Sequence, residues 1–152
     1  HVRVRIAGDG PERATLERLA GALDLSGVEF LGYVPGEELP ALLHSADIFC
    51  APSTHAESFG IVLIEAMAAG LPIIAAANAG YAEVLGNHPG NLLVPPGDNR
   101  ALAGALATLL LSPDYLCRVG ARNMDGVERY GWRSVGAALL RVYEEALAEA
   151  AR

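Results

Sequence analysis

Glu57 and Glu65 have seven residues between them in the run Pro52-Ser53-Thr54-His55-Ala56-Glu57-Ser58-Phe59-Gly60-Ile61-Val62-Leu63-Ile64-Glu65. The small and polar residues through Ser58 read as a loop. The apolar run from Phe59 to Ala69, closed by Gly70, reads as a helix. The first N–H groups of a helix have no intrahelical acceptor and carry partial positive charge, so the helix start near Phe59-Gly60 would favour a phosphate. Gly60 lets a ligand approach the backbone closely. Eight helical residues rise about 12 Å at 1.5 Å each, roughly the span from a sugar to a ribose across a diphosphate. Carboxylates at the two ends of that span could accept hydroxyl hydrogen bonds from both ends of a nucleotide diphosphate-sugar, each worth about 1.5–3 kcal/mol.

Both glutamates also have plainer explanations. Glu57 could simply oppose the helix dipole, for about 0.3–1 kcal/mol. Glu65 is the only charged residue between Ser58 and Ala82. A carboxylate in so apolar a helix must find partners, whether as a satisfied structural glutamate or as an acceptor of ligand hydroxyls. His55, in the same loop, is a candidate to touch the ligand. A second loop, Gly8-Asp9-Gly10-Pro11, has the G-x-G spacing of a dinucleotide fingerprint, but Arg13 stands where the third glycine belongs. A plain glycine turn competes there, and a dehydrogenase is poorly supported.

The elements that must position these residues follow from periodicity. Strands are predicted over 2–7, 28–34, 47–52, 71–76 and 92–94. Helices are predicted over 12–23, 38–45, 59–69, 99–111, 114–130 and 132–150, and a loop carries Gly80, Gly86 and Gly90. Strands alternating with helices, the central ones continuously apolar, predict an α/β domain with a doubly wound parallel sheet and ligands at its carboxyl end.

The chain has 152 residues, 52% hydrophobic and 19% charged, which fits one globular domain over 1–152. A net charge of −7 without a basic run argues against nonspecific binding to nucleic acid or an anionic membrane. The two cysteines, Cys50 and Cys117, lie too far apart for a metal clip and read as small core residues of a reduced, cytoplasmic protein. Glu65 and Gly70-Leu71-Pro72 break the apolar window 61–79 too early for a membrane span. The start at His1, without an initiator Met, is expected of a fragment of a longer protein. His44 reads as packing or surface, His88 as solvent-facing, and Trp132 and Tyr143 as pins holding the last helix to a neighbour. Glu144, Glu145 and Glu149 read as a solvated face.

The Glu57–Glu65 segment, with its continuation Ala66-Met67-Ala68-Ala69-Gly70-Leu71-Pro72, resembles the E-x7-E motif of retaining GT-B glycosyltransferases of family 4, also called group 1. Gly8-Asp9-Gly10-Pro11, Phe30-Leu31-Gly32-Tyr33-Val34, Ser45-Ala46-Asp47-Ile48-Phe49, Leu92 to Asp98, and Tyr130-Gly131-Trp132 with Tyr143 agree in order. Ser58 to Gly70 is especially similar to bacterial phosphatidylinositol mannosyltransferases. The resemblance implies a C-terminal, Rossmann-like donor domain of an enzyme moving a hexose, with mannose a candidate, from a nucleotide diphosphate-sugar to a lipid or glycan. Glu57 would be the catalytic carboxylate on the hexose hydroxyls, and Ser58, Phe59, Gly60, Ile61 and Val62 would offer backbone N–H groups. Glu65 would hold the ribose, the base would lie against Tyr33 and Val34, and Gly8 and Gly10 would line the phosphates. No metal or other cofactor is implied.

The first strand-helix unit, with its Arg- and Lys-bearing loop, and the N-terminal acceptor domain are missing from the pattern. The missing strand would leave a gap filled by direct pairing, by a partner or by nothing, and an open gap would favour self-association. Peripheral membrane association of the full-length enzyme is compatible with a lipid acceptor. Ala79 and Ala82 replace the usual second glycine and proline, and Asn91 stands where glycine is common. A stand-alone nucleotide-sugar-binding module and a fragment of a GT-B epimerase remain the alternatives.

Overall fold

A computed structural model describes residues 2–54 and 57–150. His55, the loop histidine singled out above, lies outside the described residues. The chain divides into two compact units, His1–Leu42 and Leu43–Arg152. The expected α/β class with parallel pairing is found in both, and the five strands form two sheets rather than one.

In the first unit, β1 (Val4–Ala7) pairs in parallel with β2 (Val28–Gly32), with Ile6 opposite Phe30 and a register irregularity before Ala7. Helix α1 (Arg13–Ala22) connects them and buries none of its residues. Its apolar stripe, Leu16 and Leu19 with Leu23 just beyond, is exposed. Within its two-stranded sheet β1 pairs with β2 alone. Helix α2 (Leu39–His44) carries the chain across the division.

The second unit holds every buried apolar side chain found among the described residues. Its sheet has the order β3-β4-β5, with β3 at Phe49–Ala51, β4 at Ile73–Ala76 and β5 at Leu92–Val94. All four residues of β4 are buried, as a central strand covered on both faces requires. Helix α3 (Ile61–Ala68) ends in a Schellman turn. Gly70 has φ +72°, its N–H reaches the Met67 carbonyl, and the Leu71 N–H reaches that of Ala66.

Residues 79–85, read from sequence as loop, form helix α4 (Ala79–Leu85), capped by Asn78, whose Oδ1 accepts the Tyr81 N–H at 2.9 Å. Helix α5 (Asn99–Leu110) is capped by Asp98, which accepts from the N–H groups of Arg100 and Ala101. Helix α6 (Pro113–Val127) tightens into a 3-10 turn (Glu128–Tyr130) before α7 (Trp132–Ala150).

Three side-chain expectations are corrected. Helix α7 has no buried residue, and Trp132 is 89% exposed, so neither Trp132 nor Tyr143 pins it. Cys50 and Cys117 are exposed free thiols rather than core residues, although burial pushes the Cys50 thiol pKa up. His88 is buried rather than solvent-facing.

The departure at Asn91 has a structural reason. Asn91 Nδ2 donates to Asn123 Oδ1 at 2.8 Å while Asn123 Nδ2 donates back to Asn91 Oδ1 at 3.0 Å and to the Leu71 carbonyl at 2.7 Å. Asn91 Oδ1 also accepts the Ile73 N–H at 2.9 Å, and its amide donates to the His88 carbonyl. The fully buried Asn123 is thereby satisfied, and α6 is tied to the start of β4.

Candidate functional site

The loop after β3 enters α3 through Gly60, whose left-handed conformation (φ +84°, ψ +59°) a residue with a Cβ adopts only at a cost. A Cβ on Gly60 would also stand 2.6 Å from Cε1 of Tyr81. The first N–H of the helix with a backbone acceptor is that of Leu63, bonded to the Gly60 carbonyl at 2.9 Å. The N–H groups of Ile61 and Val62 have no such partner among the described residues, leaving the positive end of α3 available. Phe59, Ile61 and Val62 are exposed around it.

Because α3 begins at Ile61, the Glu57–Glu65 spacing is not eight helical residues. The helical rise from Ile61 to Glu65 is about 6 Å, half the sequence-based span. Glu57 lies in the loop, half-buried, and its Oε1 accepts the Ser58 N–H at 3.1 Å. That bond occupies an N–H expected for the ligand and leaves Oε2 without a hydrogen-bond partner among the described residues. Glu65 is half-buried on α3 and makes no side-chain hydrogen bond or ion pair with another described residue.

Sequence reasoning missed the role of α4 here. A Cβ on Gly80 would run into the Glu57 carbonyl and stand 2.8 Å from the Ser58 carbonyl carbon. Gly80 thus marks close backbone approach, with α4 bearing on the Glu57-Ser58 loop. Burial, and then the Glu57 charge, raise the Tyr81 pKa. Asn78 Nδ2 is a buried donor without a partner among the described residues. The signal was present as Asn78 three residues before Tyr81, with Tyr81, Val84 and Leu85 at helical spacing.

In the first unit, Gly8 (φ +129°) donates its N–H to the Gly32 carbonyl at 2.7 Å, and Gly10 has open space where a Cβ would be. Tyr33 is 78% exposed and Val34 is partly buried. Arg13 bonds Glu17 at 2.8 Å, lies 3.8 Å from Asp9, and reaches the Phe30 carbonyl at 3.4 Å. A Cβ on Gly32 would meet its Nη1 at 2.8 Å. An anchored guanidinium thus stands where a dinucleotide fingerprint needs a bare glycine. Among the described residues no three or more His, Cys, Asp or Glu cluster as metal ligands. No single helix there is long and apolar enough to cross a membrane.

Comparison with known proteins places the chain among glycosyltransferases. A phosphatidyl-myo-inositol mannosyltransferase of Mycobacterium leprae is 40% identical over 94% of this chain, which spans 38% of that protein. The sucrose-phosphate synthase of Thermosynechococcus elongatus superposes with a TM-score of 0.84 at 30% identity, over 97% of this chain and 39% of its own. Anabaena HepE, solved in complex with UDP-glucose, shares the fold at a TM-score of 0.84 and 24% identity, over 95% of this chain and 41% of its own. Residues 1–124 match the family described as glycosyl transferases group 1. The chain belongs to that family, and its fold is that of a GT-B glycosyltransferase half.

Proposed function

We propose that this chain is the donor-binding part of a retaining glycosyltransferase that moves a hexose from a nucleotide diphosphate-sugar to a lipid or glycan. The observation that carries this is the start of α3: N–H groups with no acceptor among the described residues behind a left-handed Gly60, with Glu57 ahead and, behind, a half-buried Glu65 without a partner among those residues. The N–H groups of Gly60, Ile61 and Val62 receive the diphosphate, with Phe59 beside them. Glu65 accepts ribose hydroxyls. Glu57 uses Oε2 for the hexose hydroxyls, while its Oε1 bond to the Ser58 N–H holds it in place. The mannosyltransferase relatives favour mannose as the hexose.

In the transfer, the bond from the anomeric carbon to the diphosphate oxygen breaks and an acceptor oxygen bonds to the same face of the sugar. The acceptor's proton passes to the departing diphosphate, whose charge the helix N-terminus stabilises. No metal is needed for these steps, so a chelator is expected to leave the rate unchanged. The acceptor site is assigned to the rest of the whole protein, since this chain spans 38% of its Mycobacterium leprae relative. Two free thiols are in keeping with a cytoplasmic setting.

The test is calorimetric titration of the whole protein with UDP, GDP and their glucose and mannose conjugates. Glu65→Gln is expected to weaken the preferred nucleotide about 10- to 100-fold, the loss of one charge-assisted hydrogen bond, with melting unchanged. Unchanged affinity in that variant would remove Glu65 from the donor site. Binding without transfer in the whole protein would favour a binding module over an enzyme.

A further inference from the structure

The loop from Glu57 to Gly60 has no strand ladder, and α3 begins only after it. Two tyrosines distant in sequence hold it. The Tyr81 ring, 4% exposed, lies against Gly60. Separately, the Phe59 ring meets Tyr130 edge-on, with centroids 5.9 Å apart and planes at 72°. An otherwise exposed aromatic side chain of the loop is thus docked on the 3-10 turn between α6 and α7.

Tyr130 is itself held. Arg129 Nη2 donates to its hydroxyl at 2.6 Å, and the guanidinium lies 4.7 Å from its ring centroid. His88 Nε2 stands 3.5 Å from the same hydroxyl, with ring centroids 6.1 Å apart. His88 rests on α6 at Gly126, where a Cβ would fall 2.5 Å from the imidazole Cε1. Contacts therefore run from α6 through His88 and Tyr130 to Phe59 and the loop.

We propose that Tyr130 is a positioning residue for this loop. Through Phe59 it sets the direction of the Gly60, Ile61 and Val62 N–H groups and of the Glu57 carboxylate, so donor affinity depends on a side chain that does not touch the donor. The proposal rests on the donor-site assignment above, but the hold on the loop is a property of the ligand-free protein. Binding groups must be kept within about 0.5 Å of their productive geometry, which a loop without its own ladder cannot do unaided. An edge-to-face aromatic pair changes an equilibrium by about two- to tenfold.

The experiment uses the whole protein with Tyr130→Leu, Tyr130→Phe, Phe59→Leu and the double variant Tyr130→Leu/Phe59→Leu. Amide exchange over 57–62 is followed without ligand, and affinity is measured for the UDP and GDP conjugates of glucose and mannose. Tyr130→Leu is expected to speed exchange over 59–62 and to weaken donor binding about three- to tenfold. Tyr130→Phe, which keeps the ring, should restore both, and the double variant should be no worse than either single one. Unchanged exchange, strictly additive losses, or a Tyr130→Phe as impaired as Tyr130→Leu would overturn the proposal. Wild-type protein that binds none of these nucleotides would overturn the donor-site assignment instead, and the exchange comparison would still decide whether Tyr130 holds the loop.

Discussion

Asn91 and Asn123 hold α6 to the start of β4 through a reciprocal pair of amide hydrogen bonds. Asn91 supplies the acceptor for the Ile73 N–H and half of a reciprocal amide pair. Asn91→Gly should therefore destabilise the protein by roughly 1–3 kcal/mol, because Asn123 would keep a buried amide with fewer partners. Chemical denaturation would read this as a lower midpoint at unchanged slope. His88 invites a different measurement. Burial, and then the Arg129 charge, lower its pKa from the 6.5 of a free imidazole. The unfolded chain takes up a proton more readily than the folded one in the window below pH 6.5, so this contribution is complete above that value and is lost as pH falls towards the lowered pKa. Tm measured against pH should fall through that window in the wild type and fall less in His88→Gln.

At the scale of elements, α4 connects the fold to the site. Gly80→Ala would drive a Cβ into the Glu57 carbonyl, so the loop must move or α4 must shift. The expected result is a lower Tm together with weaker nucleotide binding, both seen in a ligand-dependent melting series. Much of the architecture was legible in sequence because period and punctuation agreed: the apolar run of β4, the Schellman glycine after α3, and the Asp98 cap of α5 all lie where local chemistry puts them. Helix α4 is masked in the sequence, despite its Asn78 cap and the spacing of Tyr81, Val84 and Leu85, because Gly80 and Gly86 look like loop residues until the close approach of another backbone explains the first of them. The start of α3 was placed two residues early, and that error inflated the Glu57–Glu65 span, since Gly60 in its left-handed conformation ends the loop rather than continuing a helix. Tyr130 was visible only as part of a closing motif, because its partners Phe59 and His88 are brought to it by tertiary packing.

Across the whole molecule, buried apolar side chains are confined to the second unit among the described residues, while α1 in the first unit buries none. Local opening free energy follows buried contacts, so amides of β1 and β2 should exchange well before those of β4 in native-state hydrogen exchange. Equal protection of the two sheets would show that something outside the described contacts stabilises the first unit. Helix α7 offers a last measurement. The only tryptophan of the chain, Trp132, is 89% exposed and follows Tyr130-Gly131 directly. Residues 1–152 thus carry a single built-in fluorophore at the start of α7. In the isolated chain its emission should be red-shifted and readily quenched by acrylamide. A blue shift on adding a candidate partner would report the covering of that face without any label.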